Sequence, residues 1–240
     1  MVEELLFFIS GKTQTKVLEA KGVGIWKDNT TRSFLDKRGL DKLDEGDMGD
    51  GYGYQWRHYG FSRAPNEQLE VGQGGVDQLR SLIDDIKKVI VDPTCEESRR
   101  LVLNAWNPTA TKNMALPCCH LMAMFNVRKP FLDINVIMRS NDVPVGGPWN
   151  VSSYSLLTYM IAHLTGLVPR KLTLFISDAH IYVNHISMVE TQLSRPPRLW
   201  PTLKIVDPHN TITNIDDFKA EHIVLQDYDP HPPIKMQMVV

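Results

Sequence analysis

Between residues 74 and 90, Val76, Leu79, Ile83, Ile86 and Ile90 recur at three- and four-residue intervals with Asp, Lys and Arg between them. That period marks one face of a helix and predicts an amphipathic helix lying on a core. Residues 152–167 (SSYSLLTYMIAHLTGL) are apolar on most faces and predict a central, largely buried helix. A short buried helix is expected over residues 2–10 (VEELLFFIS), which open on two glutamates and end at Gly11, a residue suited to the left-handed turn that closes helices. The runs 100–106, 121–127, 131–138 and 171–176 are rich in Leu, Val, Ile and Phe and are bounded by Pro, Asn, Arg-Lys or Asp, as strands often are. Residues 41–53 and 61–75 are Gly- and Asp-rich connections. With no internal repeat or low-complexity tract, the pattern predicts an α+β domain built on a mixed sheet.

Composition narrows the function classes. At 240 residues the chain fits one core without a linker, so a single domain is expected over 1–240. A hydrophobic share of 42% and a charged share of 22% are ordinary for a soluble protein, and a net charge of -2 argues against a general nucleic-acid-binding surface. An anionic ligand must therefore be met by a local cluster of arginines. Cys95, Cys118 and Cys119 are too few and too oddly placed for a disulfide framework, which points to a reducing, cytoplasmic setting. No apolar run approaches the roughly 18 residues needed to span a bilayer, and no secretory signal pattern opens the sequence.

The chemistry is concentrated in the segment 104–120 (NAWNPTATKNMALPCCH), where Cys119 stands directly beside His120. A cysteine is the strongest nucleophile at neutral pH, and an adjacent basic group can raise its thiolate fraction. Alone, a cysteine after a strand is more often a small buried hydrophobe.

Six segments change that balance: AWNP, MALP-x-CH, RS-x-D, P-x-N-x-x-SY, DAHIY-x-NH and YDPHPPIKM occur in this order along the chain. The sequence resembles the thymidylate synthase family over essentially its whole length. The resemblance implies that family's fold, a mixed sheet flanked by helices, with one sheet face forming a homodimer interface. It also implies reductive methylation of dUMP to dTMP with 5,10-methylenetetrahydrofolate as cosubstrate, and no metal. By the match Cys119 adds to C6 of the uracil, while Glu4, Tyr52, His120 and Asp142 complete the catalytic group. Arg139 and Ser140 match phosphate contacts, Asn150 the base reader, and His180 with Tyr182 the pair on the deoxyribose 3'-hydroxyl. Arg99 and Arg100 match a pair donated across the dimer to the partner's phosphate. Trp26, Asn29, Asp142, Gly146 and Trp149 match residues around the folate, and the C-terminal MQMVV resembles a tail that closes over the ligands.

Physical chemistry supports several of these assignments. A carboxamide offers one donor and one acceptor together and so complements the N3 donor and O4 acceptor of uracil; related deoxycytidylate hydroxymethylases carry aspartate at the place of Asn150. A buried glutamate has a raised pKa suited to proton transfer through water, whereas Glu3 is expected to be a helix-start carboxylate. Several positions depart from the family pattern. Cys118 stands where proline is usual and is expected to be a passenger, and Asp50-Gly51 replaces a Pro-Val pair before Tyr52. Trp149 replaces phenylalanine, and Met138 stands where glutamine usually precedes RS-x-D. Extra residues lengthen 88–98, and the family's usual opening helix, arginine-bearing loop and early strand have no counterpart. The methionine makes deoxyuridylate 5-hydroxymethylase the rival enzyme reading, and an inactive nucleotide-binding member is the third.

Overall fold

The computed structural model describes residues 1–236. Its first element, α1 (Val2–Ile9), carries Glu3 and Glu4 in its first turn and buries Glu4, Leu5, Phe7, Phe8 and Ile9. Short helices α2 (Lys16–Glu19), α3 (Arg32–Lys37) and α4 (Gly53–Arg57) follow within the long connections. Glycine is required at the head of α4 because a Cβ on Gly53 would lie 2.2 Å from the Phe8 carbonyl oxygen, so α1 and α4 meet backbone to backbone.

The amphipathic segment becomes α5 (Gln78–Val91), capped by the Asp77 carboxylate accepting from the Arg80 amide at 3.0 Å. Leu79, Leu82, Ile83, Ile86 and Val89 form its buried face, each worth about 1.5–3 kcal/mol when removed from water. Val76, expected on that face, lies before the helix and is exposed, because residues 59 and 76 bridge to each other instead.

Four strands, β1 (Val102–Asn104), β2 (His120–Arg128), β3 (Phe131–Asp142) and β4 (Val168–His180), form one sheet in that order. The β1–β2 and β2–β3 pairs are antiparallel and the β3–β4 pair is parallel, which makes the sheet mixed, as expected. Parallel pairing demands a crossover, supplied by α6 (Gly146–Thr165), which ends on Gly166 at φ 67°. Along β3, Leu132, Ile134, Val136 and Met138 point into the core. On the opposite face Met122, Ile137 and Phe175 stand side by side across β2, β3 and β4, Met122 and Ile137 half-buried and Phe175 56% exposed.

The chain continues through α7 (Ile186–Leu193) and a small hairpin, β5 (Thr202–Ile205) with β6 (Ile223–Gln226). No helix among the described residues is long and apolar enough to cross a membrane.

Candidate active site

The C-terminal end of β3, the head of α6, α1 and the loop before β2 enclose a cleft of about 470 Å³. Glu4, Trp26, Asn29, Tyr52, Cys119, His120, Arg139, Ser140, Asp142, Gly146, Trp149, Asn150, His180 and Tyr182 all line it. Of the catalytic and binding residues expected from the resemblance, Arg99 and Arg100 lie elsewhere: both are exposed ahead of β1, and Arg100 pairs with Glu96 at 2.9 Å.

Cys119 sits one residue before β2. Arg139, facing it from β3, donates through Nη2 to the Cys119 sulfur at 3.4 Å. The guanidinium is aimed by two carbonyls of the same loop: Nε donates to Cys118 O at 2.9 Å and Nη2 to Pro117 O at 2.8 Å. The backbone adds a further tie, the Arg139 amide donating to the Cys119 carbonyl at 2.8 Å. A fixed cation thus faces the sulfur and gives negative charge on it a partner.

His120 supplies no such charge. Burial drives its pKa down to about 3, and its Nδ1 lies 2.6 Å from the Tyr154 hydroxyl. The ring is neutral at physiological pH and packs 4.5 Å from the Tyr52 ring, so the positive charge beside Cys119 comes from Arg139, not from the sequence neighbour.

Tyr52 is held at φ 47°, an uncommon conformation for a residue with a side chain. Its ring stacks on Phe8 at 5.1 Å, and its hydroxyl accepts from the Cys119 amide at 3.0 Å. Burial, reinforced by the two cysteines, keeps the phenol protonated well above its ordinary range.

Glu4 is 5% exposed. Trp26 donates its indole N–H to Oε1 at 2.7 Å, and Trp149 donates to Oε2. Burial raises the Glu4 pKa, and the two indole donors and the amino terminus oppose the rise. Glu3 instead turns outward to pair with Lys21, as its place at the helix start suggested.

His180 and Tyr182 meet edge to face at 5.2 Å at the end of β4, and Asn150 lies on the first turns of α6. Asn141, between Ser140 and Asp142, also lines the cleft; its carboxamide is buried with no hydrogen-bond partner. Phe8, Ile25, Leu116, Asn141 and Val145 complete the wall and were not singled out in the sequence, although Phe8 lies one helical turn beyond Glu4. Met138 is not on the wall: it is fully buried beneath the sheet. A shallower cavity of about 320 Å³ adjoins at Val145 and reaches Met236; residues 237–240 of the expected closing tail lie outside the described residues.

Aromatic walls from Trp26 and Trp149 suit a flat heterocycle, while Arg139 suits an anion.

The family model described as thymidylate synthase matches residues 1–240. The chain is 47% identical to the thymidylate synthase of equine herpesvirus 2 (strain 86/87) over 240 residues, covering 100% of this chain and 80% of that protein. It is likewise 47% identical to the thymidylate synthase of Homo sapiens, covering 100% of this chain and 74% of the human protein. The thymidylate synthase of Ascaris suum is 47% identical, with 100% and 78% covered.

Proposed function

The chain belongs to the thymidylate synthase family and is a methyltransferase, and from that premise we propose that it methylates dUMP through a covalent bond between Cys119 and C6 of the uracil. The observation that carries the residue assignments is the convergence of every expected site residue except Arg99 and Arg100 on one cleft, with Arg139 aimed at the Cys119 sulfur.

The Cys119 sulfur attacks C6, which pushes electron density through C5 towards O4 and makes C5 the nucleophile. Arg139 and Ser140 hold the phosphate, His180 and Tyr182 the sugar hydroxyl, and the Asn150 carboxamide meets the N3 donor and O4 acceptor of uracil. Glu4, buried yet tied at both oxygens, relays protons to O4 and away from C5 through water. Tyr52 lends its hydroxyl to that water while its oxygen fixes the Cys119 amide, and Asp142 contacts both the base and the folate. Trp26, Asn29, Gly146 and Trp149 hold the folate, whose 5,10-methylene form supplies the one-carbon unit and the hydride when bound.

The sheet face bearing Met122, Ile137 and Phe175 supports a homodimer about a two-fold axis. In that dimer Arg99 and Arg100 serve the partner's phosphate site; the exposed Arg100–Glu96 pair is weak enough to yield to a dianion. Three free cysteines accord with the cytoplasm as its place of action.

The test is an assay of purified protein with dUMP and 5,10-methylenetetrahydrofolate, read by dihydrofolate formation and by the mass of the nucleotide product. Thymidylate with dihydrofolate is expected; 5-hydroxymethyl-dUMP with tetrahydrofolate would sink the methylation step. Cys119→Ser is expected to abolish the covalent adduct with 5-fluoro-dUMP, and its persistence would remove Cys119 from the mechanism.

A further inference from the structure

Cys118 and Tyr52 hold each other from two sides. The Tyr52 amide donates to the Cys118 sulfur at 3.1 Å, and the Tyr52 hydroxyl accepts from the amide of the next residue, Cys119, at 3.0 Å. Sixty-six residues separate the first pair, so the contact joins the loop before α4 to the loop before β2. The Cys118 side chain is fully buried, and burial lifts its thiol to about 12, which keeps it neutral and unreactive.

The need for such a tie is visible in the backbone. Tyr52 sits at φ 47°, a conformation that costs free energy unless its surroundings enforce it. The residue before it is Gly51, the least restrained backbone available. A Cβ on Gly51 would lie 3.7 Å from the Cys118 sulfur, in ordinary contact, so the thiol also occupies the space beside that glycine.

We propose that Cys118 is a positioning residue for the methylation reaction: its sulfur accepts the Tyr52 amide and fixes the phenol against the Cys119 backbone, supplying a restraint that Gly51 does not. This rests on the roles given above to Tyr52 and Cys119. The sulfur acts as an acceptor only, and no bond to it forms or breaks. The expected passenger therefore has a definite task.

The test is a double-mutant cycle on the full chain. Cys118→Ala is expected to lower kcat about five- to tenfold, the effect of one lost buried hydrogen bond, with KM for dUMP changed less than about twofold. Cys118→Ser, which keeps an acceptor, is expected to recover most of the loss, and Gly51→Ala in the Cys118→Ala background to recover part of it. In a Tyr52→Phe background, Cys118→Ala should add little further loss. Full additivity in that background, or equal losses in the Ser and Ala variants, would overturn the proposal. Cys118→Pro, which also lacks the sulfur, takes the place of Cys118→Ala should the latter not fold. An unaffected Cys118→Ala with an impaired Tyr52→Phe would sink the proposal alone, whereas an unaffected Tyr52→Phe would sink the reading beneath it.

Discussion

The indole N–H of Trp149 donates to Oε2 of Glu4, 145 residues away in sequence. Trp26 donates to the other oxygen, so the carboxylate is clasped at both ends by neutral donors inside an apolar wall. A phenylalanine at 149 would preserve the wall and remove one donor. The tryptophan does more than widen the cleft wall, because it opposes the rise in pKa that burial imposes on Glu4.

Trp149→Phe is accordingly expected to move the acid limb of kcat/KM to higher pH. The donor favours the ionised carboxylate, so removing it raises the Glu4 pKa further. The amino terminus of Met1 also acts on Glu4 and stays in place in the variant. A pH profile with an unmoved acid limb but a higher KM for the folate would show that Trp149 is only a wall.

His120 makes stability depend on pH. Its folded pKa of about 3 lies below the ordinary 6.5, so the unfolded chain binds a proton that the folded chain refuses. Stability from this group is present above pH 6.5 and declines as pH falls towards 3, by up to about 1.4 kcal/mol per unit. His120→Asn should flatten the fall in urea midpoint between neutral pH and mild acid, relative to the unsubstituted protein. An identical fall in both proteins would mean that His120 is not held neutral in the fold.

Asn150→Asp tests the base reader. A protonated carboxyl presents a donor and an acceptor in the order that cytosine requires, while a carboxylate offers no donor to O4 of uracil. The kcat/KM for dUMP should drop by about two orders of magnitude, with a gain for dCMP. Competition kinetics with both nucleotides measure the ratio, and an unchanged ratio would assign base reading elsewhere.

The periodicity of Leu79, Ile83 and Ile86 and the apolar run of α1 revealed their helices because each buries one continuous face. The apolar pattern marks α6 only from residue 152, six residues past its start: the Gly-Gly-Pro at its head has no apolar period, yet Pro is tolerated in a first turn. Hydrophobicity likewise stops at Met138, whereas β3 runs on through Arg139, Ser140 and Asn141 to Asp142, because pairing with β4 carries a polar segment to the cleft. The β5–β6 hairpin escaped notice because each strand has only four residues and the two are distant in sequence. The cleft residues were legible as motifs, but the contacts that tune them were not. Neither the Trp149–Glu4 bond nor the Tyr52–Cys118 bond has a local signature, since each joins segments that only the fold brings together.

The most demanding prediction concerns the proposal that each site draws on two chains. Cys119→Ser lacks the nucleophile, and a chain carrying both Arg99→Ala and Arg100→Ala would deprive its partner of phosphate contacts, so each homodimer should be inactive or severely weakened in KM for dUMP. Mixed after partial denaturation and refolding, the two variants form heterodimers in which one site has an intact Cys119 facing the other chain's intact arginines. Random assortment from equal amounts makes half the dimers mixed with one competent site each, so about a quarter of the native activity should return. Phe175→Glu, which places charge on the same sheet face, should prevent that recovery by blocking association, seen as a monomer in sedimentation. Absence of recovery in a mixture shown to contain heterodimers would confine the site to a single chain and remove Arg99 and Arg100 from it.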